Sequence, residues 1–130
     1  MPRALPRPTD TELAILRVLW AKGPSTVRQV HEAQAEGRET GYTTTLKIMQ
    51  IMADKGLVTR DESSRTHVYS TRLTQDQTQR QLVSDLMDRA FGGSAAALVM
   101  QALSAHPATT EELDEIRKLI EAHEKTLARQ

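Results

Sequence analysis

Two short stretches rich in β-branched residues, Leu57-Val58-Thr59-Arg60 and Thr66-His67-Val68-Tyr69, stand five polar residues apart, with three helical segments before them and three after. That order constrains the fold more than any other feature of the chain. The stretches predict a hairpin, although Asp61-Glu62-Ser63-Ser64-Arg65 holds no Asn-Gly pair to fix its turn. A chain of 130 residues and 14.5 kDa allows one compact domain or two very small units and excludes a large multidomain enzyme. With 38% hydrophobic and 26% charged residues it reads as globular, and with 3% aromatic residues its core must be aliphatic. The lack of cysteine removes disulfides, thiol nucleophiles, zinc–cysteine sites and iron–sulfur ligation together.

Local signals bracket each helix. Residues 1–8 carry three prolines with Arg3 and Arg7 and are expected to form a flexible arm. Thr9 and Glu12 make a capping box before Leu13, Ala14, Ile15, Leu16, Val18, Leu19 and Trp20, which lie nearly all round a helix that ends at Gly23-Pro24. Ser25 is placed to cap a second helix with Val27, Val30 and Ala33 inward and Arg28, Gln29, Glu32 and Glu36 outward, fading by Gly37. After a polar loop through Gly41, a third helix is expected from Thr43 to Lys55, stopped by Gly56. Thr74 with Gln77 opens a fourth helix with the stripe Leu82, Val83, Leu86, Met87, Ala90 and Phe91, ended by Gly92-Gly93. Ser94 caps a short alanine-rich helix closing near His106-Pro107, and Thr109 with Glu112 opens the last, lined by Leu113, Ile116, Leu119, Ile120 and Leu127.

Three helices and a hairpin in about 70 residues give the element order of a winged helix-turn-helix, in which the third helix enters the DNA major groove. The expected fold is therefore mainly α with a small β-hairpin: an arm at 1–8, a winged helix-turn-helix at 9–73 and a helical dimerisation region at 74–130. In the third helix Leu46, Met49, Ile51, Met52 and Ala53 can cover the core, while Thr43, Lys47, Gln50 and Asp54 fall at spacings of 4, 3 and 4 as a polar stripe. Thr43, Thr44 and Thr45 offer hydroxyls to phosphates or base edges and methyls to thymine, and Lys47 adds a cation one turn along. A capping run with a solvated lysine would look the same. Arg60, Arg65 and His67 on the hairpin suit phosphates, or a cross-strand ion-pair network with Asp61 and Glu62. Charge is asymmetric: residues 1–73 hold 11 Lys/Arg against 8 Asp/Glu, a net of +3, and residues 74–130 hold 6 against 9, a net of −3.

The run Gly41-Tyr-Thr-Thr-Thr-Leu-Lys-Ile-Met-Gln-Ile-Met-Ala-Asp-Lys-Gly-Leu-Val58, followed by Arg60-Asp-Glu-Ser-Ser-Arg-Thr-His-Val-Tyr69, resembles the penicillinase-repressor family of BlaI/MecI/CopY-type regulators. Glu12 to Trp20, Val27 to Glu32, Phe91 to Ser94 and Glu111 to Arg117 extend the similarity over about residues 9–120. The resemblance implies a homodimeric winged-helix repressor on a palindromic operator. Its operator-reading positions would be Tyr42, Thr43, Thr44 and Lys47, with wing support from Arg65. In members controlling penicillin resistance a membrane sensor protease cuts an Asn-Phe bond, which aligns here with Gln101-Ala102, so that pair is the candidate cleavage region and a sensor protease the partner it would imply. The copper-sensing branch uses a cysteine cluster that this chain does not have.

About 57 residues in three helices do not readily close a core of their own, and Leu82, Leu86 and Ala90 with Leu113, Ile116 and Ile120 would form an exposed patch on a monomer. A second copy would cover them; folding back on the winged helix is the alternative. His31, His67, His106 and His123 show no metal-ligand spacing, and no phosphate loop or nucleophile elbow is present, so neither an enzyme, a metal site nor a cofactor is expected. Without a membrane-length apolar run or signal-type leader, the expected place is the cytoplasm, with no membrane insertion. The expected function is sequence-specific repression as a homodimer on duplex operator DNA, and the alternative is a winged-helix protein-interaction module without specific DNA binding.

Overall fold

The computed structural model of the chain describes residues 6–34 and 41–130. Its elements run α1 (Asp10–Lys22), β1 (Ser25–Thr26), α2 (Val27–Gln34), α3 (Tyr42–Lys55), β2 (Val58–Asp61), β3 (Val68–Thr71), α4 (Gln75–Ala90), α5 (Ala95–Ala105) and α6 (Thr110–Ala128). They divide into two compact units, residues 1–84 and 85–130.

In the first unit the local signals act as expected. Thr9 accepts the Glu12 amide at 3.2 Å while the Glu12 carboxylate accepts the Thr9 amide at 2.9 Å, which satisfies two donors at the start of α1. Gly56, at φ 84°, ends α3 through amide bonds from Leu57 to the Met52 carbonyl and from Gly56 to that of Ala53, a left-handed stop that an L side chain would strain. The core is Ile15, Leu16 and Leu19 of α1, Val27 and Val30 of α2, Met49 and Met52 of α3, and Leu57, Val58 and Tyr69 around the hairpin. Each such side chain contributes roughly 1.5–3 kcal/mol on leaving water. Trp20 donates its indole N–H to the Leu73 carbonyl at 3.1 Å, tying α1 to the chain that leaves the hairpin.

Three expectations change. The sheet is three-stranded, in the order β1-β3-β2 and antiparallel throughout, with Ser25 opposite Tyr69 and Arg60 opposite Tyr69 on the other side. Ser25 therefore lies in a strand and does not cap α2; its hydroxyl donates to the Gly23 carbonyl at 2.8 Å, and Thr26 forms the capping box with Gln29. The turn at Gly23, φ 86°, followed by Pro24 lays Ser25-Thr26 extended against β3. In α3, Ile51 is 43% exposed, while Thr45 is buried and Ile48 packs beside the core. Helical spacing explains this: Thr45, Met49 and Met52 share the inward face, whereas Ile51 continues the ridge of Thr43 and Lys47.

The unit boundary falls within α4, after Ser84, and the sequence places it at 73/74. The first turns of α4 belong to the first unit because Thr78 is buried and Gln81 donates to the Pro6 carbonyl at 3.2 Å. Of the expected arm, residues 1–5, Arg3 among them, lie outside the described residues, as do Glu36 and most of the expected loop before Gly41.

In the second unit the end of α4, α5 and α6 are joined by Gly92 and Gly93, both at positive φ, and by the segment before Thr109. Ser94 caps α5 by accepting the Ala97 amide, and Thr109 and Glu112 cap α6 reciprocally. Neither α5 nor α6 has a buried residue.

Glu12 is buried and its carboxylate sits 2.6 Å from Lys55 Nζ, joining the start of α1 to the end of α3. Burial pushes its carboxyl upward, but the Lys55 ammonium and the Thr9 amide and hydroxyl together hold it below its ordinary value. A depressed folded value means that the pair stabilises the fold above the ordinary carboxylate range and loses this contribution as pH falls through the folded value. Lys55→Met should cost about 1–3 kcal/mol at neutral pH, since it strands a buried carboxylate beside partly exposed methylenes. Urea unfolding should show that deficit at pH 7 and a smaller one near pH 3; an unchanged difference would remove Glu12 as its source.

Candidate nucleic-acid interface

α3 begins at Tyr42 behind Gly41, which has no side chain to cap it, and the first turn closes through Thr44 and Thr45 amides on the Gly41 carbonyl at 3.1 and 3.2 Å. A helix start of this kind offers backbone donors and positive dipole to an anion. Tyr42, Thr43, Thr44, Lys47, Gln50 and Asp54 are all exposed. Thr45 is not: its hydroxyl lies 3.5 Å from the Gly41 carbonyl and 3.4 Å from His31 Nδ1, so the threonine triplet splits into two outward residues and one that packs against α2.

Tyr42 is held on two sides. The Arg28 guanidinium lies 5.6 Å from its ring centroid, and the His31 ring meets it edge-on at 5.9 Å and 86°. Both partners come from α2, Arg28 from the face that sequence periodicity assigns to solvent and His31, half-buried, from beside it. No local signal marks this cluster, because it depends on how α2 crosses α3.

Beside it, between α2, α3 and the hairpin, opens a cavity of about 500 Å³. Arg28, Arg60, Arg65 and His67 line it together with Tyr42 and Gln50, and among the described residues no carboxylate does. Arg60 bonds Glu62 at 2.7 Å across the strand end. Its hydrogen bond with Tyr69 and the charge of Glu62 raise the hold of its guanidinium on the proton. At the wing turn the Ser63 amide bonds Asp61 at 2.9 Å and keeps that carboxyl below its usual range. The wing thus carries fixed charges of both signs, with Arg65 exposed at its turn. The structure brings Arg65 to the same cavity as Tyr42, while Thr43, Thr44 and Lys47 project from the neighbouring face of α3.

The residues expected at a dimer surface are spread over α4 and α6. Leu82 on the first unit is half-buried; on the second, Leu86 and Ala90 are exposed, Leu113 and Ile116 half-buried, and Ile120 54% exposed. Ile116, Leu119, Ile120, His123 and Glu124 line a shallow, mostly apolar hollow of about 300 Å³ on α6. Gln101 and Ala102 lie inside α5, both exposed. Among the described residues no group of three or more His, Asp or Glu is placed to hold a metal ion, and no helix is long and apolar enough to cross a membrane.

Known proteins share this sequence pattern. Residues 8–122 match the family described as penicillinase repressor. Proteins named transcriptional regulator BlaI from two strains of Mycobacterium tuberculosis are each 38% identical over 98 residues, 73% of this chain and 71% of theirs. Among solved structures, a probable transcriptional regulator from Pseudomonas aeruginosa aligns with a TM-score of 0.45 at 21% identity, covering 88% of this chain and 77% of that one. AbfR of Staphylococcus epidermidis aligns at 0.39 and 16%, covering 94% and 75%. The match across most of the chain and the identity to the mycobacterial regulators establish that this protein belongs to the penicillinase repressor family.

Proposed function

We propose that this protein is a homodimeric repressor that binds a palindromic operator in the cytoplasm, with α3 in the major groove, the hairpin on the flanking backbone and the C-terminal helices joining two copies. The observation that carries this reading is the two-sided character of α3: Thr45, Met49 and Met52 complete the core, while Thr43, Thr44, Lys47 and Gln50 stand exposed beside a cavity lined by Arg28, Arg60, Arg65 and His67. Such a face can read base edges through hydroxyl and ammonium groups, and arginines at its flank can neutralise phosphates. Tyr42, Thr43, Thr44 and Lys47 are the residues assigned to the operator, with Arg65 on the wing.

The second unit supports dimerisation. Its apolar side chains, Met100, Leu119, Ile120 and Leu127 above all, remain more than half exposed in the single chain. A second copy covering Leu82, Leu86, Ala90, Leu113, Ile116 and Ile120 would remove part of that surface from water and give two recognition helices the ~34 Å separation of successive major grooves, or a multiple of it. Relief by a sensor protease would act at Gln101-Ala102, where the helical backbone of α5 must open before a peptidase can take it as an extended strand.

Lys47→Ala should weaken binding to the operator about 5- to 100-fold more than binding to a random duplex, measured by fluorescence anisotropy against DNA upstream of its own gene over a salt series. An equal loss on both duplexes would move Lys47 to the phosphates. No specific DNA binding by the unmodified protein would favour the protein-interaction reading. Leu86→Asp should shift sedimentation toward monomer and lower operator affinity together, because each half-site alone binds weakly; a variant that stays dimeric takes this part of α4 out of the interface.

A further inference from the structure

We propose that the cavity between α2, α3 and the hairpin is a seat for a phosphate oxyanion, that Arg28 is its principal ligand, and that Tyr42 is a positioning residue whose ring aims Arg28. The inference rests on the DNA-binding reading of α3 and adds a residue to it from α2.

Arg28 is exposed in the first turn of α2 and makes no ion pair among the described residues. Its one described contact of note is the Tyr42 ring, 5.6 Å from centroid to guanidinium carbon. Attraction to an aromatic face uses none of the five N–H donors of the guanidinium, so the side chain is held in place with its donor capacity intact. His31 against the edge of the same ring restrains the shelf on which Arg28 rests.

The surroundings select an anion. Arg60, Arg65 and His67 line the cavity with Arg28, and the other described residues that line it are neutral. Glu62 answers Arg60, which leaves Arg28 and Arg65 as the cations without a carboxylate partner among the described residues. An arginine fork matches phosphate oxygens in a way that a lysine point charge does not.

Position then favours a phosphate of the DNA backbone. An α-helix some 10–12 Å across fills a major groove about 12 Å wide, so the sugar–phosphate strands must run along both its flanks. The cavity is bounded by Leu46 and Gln50 of α3 itself and by the hairpin, and hence lies on one of those flanks.

The test uses the whole 130-residue chain and its Arg28→Gln, Tyr42→Ala, Tyr42→Phe and Arg28→Gln/Tyr42→Ala variants, titrated by anisotropy against operator and random duplexes over a salt series, with thermal melts confirming that each is folded. Arg28→Gln should lose affinity for both duplexes by the same factor and lower the salt slope by about one unit. Tyr42→Ala should lower the salt slope likewise, the double variant should lower it no further than either single one, and Tyr42→Phe, which keeps the ring, should restore the slope that Tyr42→Ala loses. If the unmodified protein binds DNA and Arg28→Gln leaves the slope unchanged, the seat is overturned while the DNA-binding reading stands. If Tyr42→Phe lowers the salt slope as Tyr42→Ala does, the ring does not aim Arg28 and the positioning role is overturned. If the unmodified protein binds neither duplex, the DNA-binding reading fails, and the melts are repeated in sodium pyrophosphate against sodium chloride of equal ionic strength. A stabilisation that Arg28→Gln abolishes then keeps the seat as a site for a free anion, and no stabilisation overturns it.

Discussion

Tyr69 is where the first unit is joined. It is the one aromatic ring among the buried core residues described, and it stands in the central strand with Ser25 opposite on β1 and Arg60 opposite on β2. In a core otherwise made of aliphatic and methionine side chains, one large flat ring fixes how the sheet packs on the helices. Its edge also lines the cavity that holds Arg28, Arg65 and His67. The residue that closes the interior thus also lines the charged surface, so that a single side chain links core and cavity.

Much of this was legible because it is local. The reciprocal caps at Thr9, Thr74 and Thr109, the serine cap of α5 and the glycine stop of α3 each depend on residues a few positions apart, and each forms. The polar face of α3 follows from helical spacing alone. What sequence did not disclose depends on tertiary approach. A two-residue strand carries no periodicity, so β1 was hidden inside a cap-and-helix reading of Ser25. Apolar character put Ile51 in the core, whereas its place on the ridge of Lys47 keeps it out, and the buried Thr45 was grouped with its outward neighbours. The Arg28–Tyr42–His31 cluster joins two helices whose relative setting no short-range pattern encodes.

The second unit shows the opposite balance. Its helices were readable in order and nearly in extent, since capping and glycine breaks define them, yet their burial in the single chain falls short of what their apolar stripes call for. Propensity and caps make the helices, and the packing that their apolar stripes call for is not found within this unit. A short apolar hollow on α6 and the exposed leucines of α4 and α6 leave apolar surface open to solvent in the single chain.

The inward and outward faces of α3 differ in one further respect. Thr45, Met49 and Met52 are committed to the interior, and any exchange there must satisfy α2 and the sheet at once. Thr43, Thr44, Lys47 and Gln50 owe nothing to that interior, and surface exchanges of this kind usually shift stability by no more than about 0.5 kcal/mol. Under the operator-binding function proposed above, a duplicated copy of this protein would be free to drift toward a new DNA target through those positions while its scaffold stayed intact, so that the address could evolve separately from the architecture that presents it.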